Sequence, residues 1–294
     1  MKPHVEIVDV TLRDGLQLLQ TPVPLADKLA LLDQAVRAGL KRLELGSFVN
    51  PKVMPQFSDT REVLEAAKDY QGLHGSVLIP NAKGFERAET AGAEEVVWVV
   101  SASEEHNQAN LRRSIADSLA DLAPVLEEAQ AIGIHVRLAV ATAFHCPFAG
   151  PTSHEAVLRV LDRAMEGGSL VEVVLADTIG KAHPHEVAAL TEVVAKRYQG
   201  LRLGFHAHDT YGRGIANIKA AYEAGATVFD GALAGLGGCP FAPGAAGNVS
   251  TEEVNRFFEA AGVATGLDAV ALAHAAEIAR RFGPPMRVPA LNEG

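Results

Sequence analysis

Cysteine is nearly absent: the 294 residues hold two, Cys146 and Cys239, each inside a Cys-Pro-Phe sequence. Usage this sparse argues against a disulfide scaffold and for reduced thiols in a cytoplasmic protein. A surplus of basic charge is also missing. The formal net charge is −10 at pH 7, so no broad field attracts nucleic acid or anionic lipid, and an anionic substrate must be met by a locally placed arginine or lysine. Long apolar runs are lacking as well: the stretch after Met1-Lys2-Pro3-His4 is too short for a signal-peptide core, and none approaches a membrane span. Neither the Walker pattern nor the dinucleotide fingerprint occurs. There is no low-complexity segment and no linker rich in serine or charge.

What is present is a large apolar fraction, 48% of residues, arranged as short β-branched runs that each precede a longer amphipathic stretch. Eight runs read as strands: Val5 to Val10, Arg42 to Leu45, Ser76 to Ile79, Val96 to Val100, Val136 to Val140, Val171 to Leu175, Leu201 to Phe205 and Thr227 to Phe229. Between them, Leu25 to Ala38, Leu111 to Ala131, Glu186 to Lys196 and Ile215 to Ala224 carry apolar residues at three- and four-residue spacing and read as helices. A glycine stands ahead of every strand but the first (Gly39, Gly72, Gly92, Gly133, Gly168, Gly200, Gly225), suited to the left-handed position that ends a helix. Uninterrupted alternation predicts an α/β fold, a (β/α)8 TIM barrel. An open doubly wound sheet is the alternative. The barrel is expected over about 5–250, with C-terminal helices over about 251–294 (Val254 to Ala261 and Leu267 to Phe282, then a proline-rich tail), all in one domain, 1–294.

In such a barrel chemistry belongs at the carboxyl ends of the strands, and the unusual polar residues fall there: Arg13 and Asp14, Glu44, Ser101, Thr142, Asp177, His206 and His208, Cys239 and Asn248. His206 and His208, two apart on a strand, point to one face and can reach one ion. By itself such a pair is a common accident, more often core or surface histidines than metal ligands. With the Asp14 carboxylate and the Asn248 amide oxygen the set is mixed nitrogen and oxygen without thiolate, which suits Mg2+ or Mn2+ at least as well as Zn2+. Asp209 is either an acceptor that fixes an imidazole or a cap for the next turn. Glu44 is either a catalytic carboxylate or an internal salt-bridge partner, and Asp177 either a functional acid or a loop anchor. Cys146 reads as structural. The glycine- and proline-rich segment from Gly235 to Asn248 has the make-up of a lid or of a loop that lets backbone approach a ligand.

These residues resemble the 3-hydroxy-3-methylglutaryl-CoA lyase family, within the wider group of metal-dependent lyases and Claisen synthases on TIM barrels. The resemblance runs from about Val5 to Gly262. Its anchors are the segment Asp9 to Gln17, Ser47 to Lys52, Asp177-Thr178-Ile179-Gly180, the segment His206 to Gly212, and the Gly237-Gly238-Cys239-Pro240 loop through Asn248. It implies a divalent cation, Mg2+ or Mn2+, held by Asp14, His206, His208 and Asn248, with Arg13 facing the thioester carbonyl and Glu44, Asp177 and Cys239 completing the catalytic site. The implied reaction is retro-Claisen cleavage of an acyl-CoA thioester, 3-hydroxy-3-methylglutaryl-CoA, to acetyl-CoA and acetoacetate by a homodimer or higher homo-oligomer. Alternatives are a lyase for a related 3-hydroxyacyl-CoA, a Claisen-type synthase, and a barrel that binds without reacting. Of the departures from the animal-type pattern, Thr11-Leu12 is typical of the wider superfamily, while His145 and Lys181-Ala182-His183 lie on mouth loops and bear on the acyl substrate.

Overall fold

The structure, a computed structural model, describes residues 5–168, 170–238 and 247–283. Eight parallel strands close into a barrel: β1 (Glu6–Asp9), β2 (Arg42–Ser47), β3 (His74–Ile79), β4 (Glu95–Ser101), β5 (His135–Ala141), β6 (Glu172–Asp177), β7 (Arg202–Ala207) and β8 (Val228–Gly231). Neighbours follow chain order, and β1 closes on β8 with Glu6 opposite Val228 and Asp9 opposite Gly231. All eight expected strands are present. Their apolar runs are nearly continuous because one face packs on helices and the other lines the barrel.

The helices are α1 (Leu25–Arg37), α2 (Thr60–Ala67), α3 (Ala82–Thr90), α4 (Glu104–Leu111), α5 (Ile115–Ile132), α6 (His154–Glu166), α7 (Pro184–Arg197), α8 (Gly214–Glu223), α9 (Thr251–Ala260) and α10 (Ala269–Arg280). Short polar side chains start several of them: Ser103, Ser114, Ser153 and Ser250 each accept a first-turn N–H. Each of the seven glycines ahead of a strand has positive φ, between 74° and 147°, the conformation that lets the chain leave a helix and re-enter the sheet.

One expectation needs correction. The stretch Leu111 to Ala131 is not a single helix: α4 ends at Leu111, Arg112 turns left-handed at φ 58°, and α5 begins afresh after the Ser114 cap. A non-glycine residue makes the break, so the usual stop signal is missing from the sequence. The C-terminal helices are as expected in place and number, and Leu272, Ala275, Ala276 and Ala279 of α10 join the core. The Asp268 N–H donates to Ala38 O at 2.9 Å, fixing the start of α10 to the end of α1. The proline-rich tail lies outside the described residues.

Between strands and helices sit Trp98, Phe85, Phe205, Phe229 and Phe258, all buried. Inside the barrel, at the end where strands begin, the filling is ionic. Arg42 reaches Glu172 at 2.9 Å, Glu95 at 3.1 Å and Glu6 at 3.2 Å, and Arg137 reaches Glu172 at 2.5 Å. Buried charges of this kind need both partners, because each alone would lose hydration without recompense. This plug closes the floor and leaves the opposite end open.

Candidate active site

The open end holds a cavity of about 380 Å³ lined by residues that include Arg13, Asp14, Glu44, Arg137, His206, His208 and Asp230. Arg13 and Asp14 ride on a wide five-residue helical turn, Thr11–Gly15, directly after β1. The turn is tied down from below: Asp9 accepts from Thr11 N at 3.1 Å and from Thr251 Oγ1 at 2.6 Å, while Thr11 Oγ1 accepts from Leu233 N at 2.7 Å. The Arg13 guanidinium is thereby placed between two acids, donating to Asp14 and, through Nη2, to Glu44 at 2.9 Å. Burial alone would raise the Asp14 pKa. Arg13 and the two histidines outweigh it and hold the carboxyl well below its usual range. For Glu44 burial prevails over Arg13, and the pKa is raised.

His206 near the end of β7 and His208 just beyond it share the inner face, with ring centroids 5.1 Å apart. Asp14, His206 and His208 each offer a ligand atom, and these lie within 4.8 Å of one another. Asn248 is bridged to His208 through backbone and sends Nδ2 to Asp14 Oδ2 at 2.8 Å and to Leu236 O at 2.9 Å. That leaves Asn248 Oδ1 buried with no hydrogen-bond partner. An acceptor oxygen without a donor, beside a carboxylate and two imidazoles, is the donor set of a hard or borderline divalent cation, so the residues fit such an ion.

The remaining predicted residues fall as follows. Glu44 sits within β2 rather than at its end, paired with Arg13, and its Oε1 has no partner. Asp177 closes β6 and accepts from the backbone N–H groups of Lys181 at 3.0 Å and Ala182 at 3.1 Å, the geometry of a loop anchor; burial pushes its pKa up to about 6. Ser101 and Thr142 stay just behind the cavity wall: Ser101 Oγ is 2.6 Å from His106 Nδ1, and Thr142 N donates to Thr178 Oγ1 at 2.7 Å. Cys146 is buried, accepts from Ser103 Oγ at 3.0 Å and sits well away in role from the lining residues. Cys239 lies outside the described residues.

Asp209 takes the second of its two readings. Its Oδ1 caps the next turn, accepting from Gly214 N at 2.7 Å, and the carboxylate behind an imidazole is Asp230, with Oδ2 3.1 Å from His206 Nδ1. Asp230, its partner Arg137 and the cavity-wall His106 were missed by sequence reasoning. Asp230 follows the apolar run Thr227 to Phe229 by one residue, and a charged residue on a barrel strand was already the signal used for Glu44. Arg137 interrupts Val136 to Val140 in the same way. Nothing local singles out His106, whose pKa burial lowers to about 4.

The HMGL-like family profile matches residues 4–279. A hydroxymethylglutaryl-CoA lyase of Pseudomonas mevalonii is 40% identical over 269 residues, 92% of this chain and 89% of that protein. The chain belongs to the HMGL-like family. Its barrel superposes on an HMG-CoA lyase structure from Brucella melitensis with TM-score 0.91 at 42% identity, covering 95% of this chain and 98% of that one. An HMG-CoA lyase from Acinetobacter baumannii, solved with coenzyme A and 3-methylmalate, gives TM-score 0.89 at 39% identity, covering 95% and 91%. Membership in this enzyme family settles the fold against the open-sheet alternative, in agreement with the closed strand order. Among the described residues no helix is long and apolar enough to cross a membrane.

Proposed function

We propose that this HMGL-like enzyme is a divalent-metal-dependent carbon–carbon lyase that cleaves 3-hydroxy-3-methylglutaryl-CoA to acetyl-CoA and acetoacetate. The observation that carries the reading is the convergence of Asp14, His206 and His208 beside Arg13 in one cavity, in a chain whose relatives are named for this reaction. Coenzyme A in the Acinetobacter neighbour supports a thioester substrate. Asp14, His206, His208 and Asn248 Oδ1 would hold Mg2+ or Mn2+. Bound there, the cation supplies Lewis acidity that lowers the pKa of a tertiary hydroxyl.

The protein's own groups account for the rest. The candidate proton acceptors are Glu44, which lines the cavity, and Asp177 at the end of β6, both with carboxyl pKa values raised by burial. Removal of the hydroxyl proton lets the C3 oxygen become a ketone carbonyl as the C2–C3 bond breaks, releasing acetoacetate. The bond's electron pair passes to C2 and onto the thioester oxygen as an enolate. Arg13, whose guanidinium is fixed by Asp14 and Glu44 yet keeps Nε buried without a partner, would stabilise that developing charge. One proton delivered to C2, by Cys239 directly or through another group, completes acetyl-CoA.

The test is to strip the protein with EDTA, add 3-hydroxy-3-methylglutaryl-CoA with and without Mg2+ or Mn2+, and assay both products. Equimolar acetoacetate and acetyl-CoA, made when metal is restored, are expected. Release of free CoA from acetyl-CoA and a 2-oxo acid, with no cleavage, would instead mean a synthase. In the same assay Cys239→Ser should keep metal and substrate affinity and lose most turnover; near-normal turnover in Cys239→Ala would remove the proton-donor role.

A further inference from the structure

Two ionised side chains on the cavity floor have no part in the cleavage described above. Arg137 on β5 is 1% exposed, and Asp230 on β8 is 4% exposed. Arg137 donates from Nη2 to Asp230 Oδ1 at 2.6 Å and from Nη1 to Asp230 Oδ2 at 3.4 Å, while its Nε meets Glu172 Oε1 at 2.5 Å. Asp230 Oδ2 in turn lies 3.1 Å from His206 Nδ1. The three side chains come from β5, β8 and β7, so the barrel itself fixes their spacing.

A carboxylate accepts from an imidazole Nδ1 when that nitrogen carries the proton, which commits Nε2 to present a lone pair. Asp230 is set up to do so by geometry: both Nη atoms of Arg137 face its two oxygens, and Oδ2 is turned to Nδ1. A two-pronged guanidinium contact also fixes the plane of the carboxylate, which a lysine cannot do.

We propose that Arg137 and Asp230 are positioning residues for the cation site: Arg137 clamps Asp230, Asp230 holds the His206 Nδ1–H, and His206 Nε2 is thereby aimed at the space shared with Asp14 and His208. The proposal rests on the reading that these residues and Asn248 bind a divalent cation. Its consequence is that ligand orientation is set from the floor of the cavity, by a side-chain pairing between β5 and β8.

The experiment is titration of EDTA-stripped protein with Mn2+, followed by electron paramagnetic resonance of the free ion, alongside thermal unfolding without metal and 15N spectra of labelled histidine. Asp230→Ala should weaken Mn2+ binding by about 10- to 100-fold and abolish the slowly exchanging His206 Nδ1–H signal. Near-isosteric Asp230→Asn gives the same reading if the alanine variant does not fold. Arg137→Met should weaken Mn2+ binding as well, and Arg137→Lys should restore part of it. A purely structural role would lower the unfolding temperature and leave the Mn2+ Kd of the folded protein within twofold of wild type; that result overturns the proposal. His206→Ala separates the two readings: loss of Mn2+ there with full affinity in Asp230→Ala and Asp230→Asn defeats the positioning role alone. Wild-type affinity in His206→Ala defeats the cation site and this role together.

Discussion

The floor and the mouth of the barrel use the same kinds of residue to opposite ends. On the floor, Arg42, Arg137, Glu6, Glu95 and Glu172 pair among themselves at 2.5–3.2 Å. At the mouth, Arg13 Nε, Glu44 Oε1 and Asn248 Oδ1 are buried without a hydrogen-bond partner. An unsatisfied buried polar group costs about 1–3 kcal/mol, so three grouped at one end of the barrel are tolerated where a ligand supplies what is missing. The floor spends its charges on holding strands together, and the mouth keeps its charges in reserve.

Substitutions at the two ends should therefore separate turnover from stability. The largest effect is expected for Arg13→Gln, with kcat lower by about 10³-fold or more and KM changed modestly, since in the proposed mechanism the charge it would meet exists only as the bond breaks. A rise in KM alone, measured by steady-state kinetics with metal content checked, would turn Arg13 into an anchor for the substrate's carboxylate or CoA. On the floor, Glu172→Gln leaves Arg42 and Arg137 short of a charged acceptor in a buried place. Urea unfolding should show a loss of about 3–5 kcal/mol, with turnover of the folded fraction falling far less than for Arg13→Gln. A loss below about 1 kcal/mol would mean that water reaches the floor.

Asp177, at the mouth end of β6, adds a test through pH. Its pKa stands at about 6 against an ordinary 3.8, so the folded state holds a proton that the unfolded chain has already lost. That contribution to stability is complete below about pH 4 and disappears as pH rises through about 6. In EDTA-stripped protein the climb of unfolding free energy from pH 4 to 6 should be steeper in Asp177→Asn than in wild type. Equal slopes would mean that Asp177 is already ionised at pH 4. The smallest effect belongs to Cys146→Ala, on a mouth-side loop but not among the cavity-lining residues: turnover within twofold, and a stability loss of about 1 kcal/mol for the hydrogen bonds from Ser103 Oγ and the Phe148 and Ala149 N–H groups. A large loss of turnover would draw the loop around Cys146 into the site.

The barrel was legible because parallel strands buried on both faces write themselves as apolar runs, and because each glycine before a strand marks a left-handed exit. His206 and His208 could be paired in advance since strand geometry puts alternate residues on one face. Arg137 and Asp230 could not, because no local spacing relates residues 93 apart that meet only when the barrel closes. The α4–α5 break escaped for a different reason: Arg112 adopts a glycine-like conformation without being glycine. Asp209 and Asp230 are both acids near the histidines, and choosing between them required knowing that Gly214 N–H had already claimed Asp209.

The hydrogen bond from Asn248 to Asp14 spans 234 positions along the chain, and that span bears on how the protein is made. A ribosome releases the turn that carries Asp14 long before it reaches Asn248, and the closing strand β8 also arrives late. Until then β1 has β2 alone beside it, paired through two residues, Val8 with Arg42 and Asp9 with Leu43. Closure of so distant a contact is slow by its topology. The nascent chain is therefore chemically silent for most of its synthesis, and the four groups that face one another at the mouth first meet when the barrel shuts.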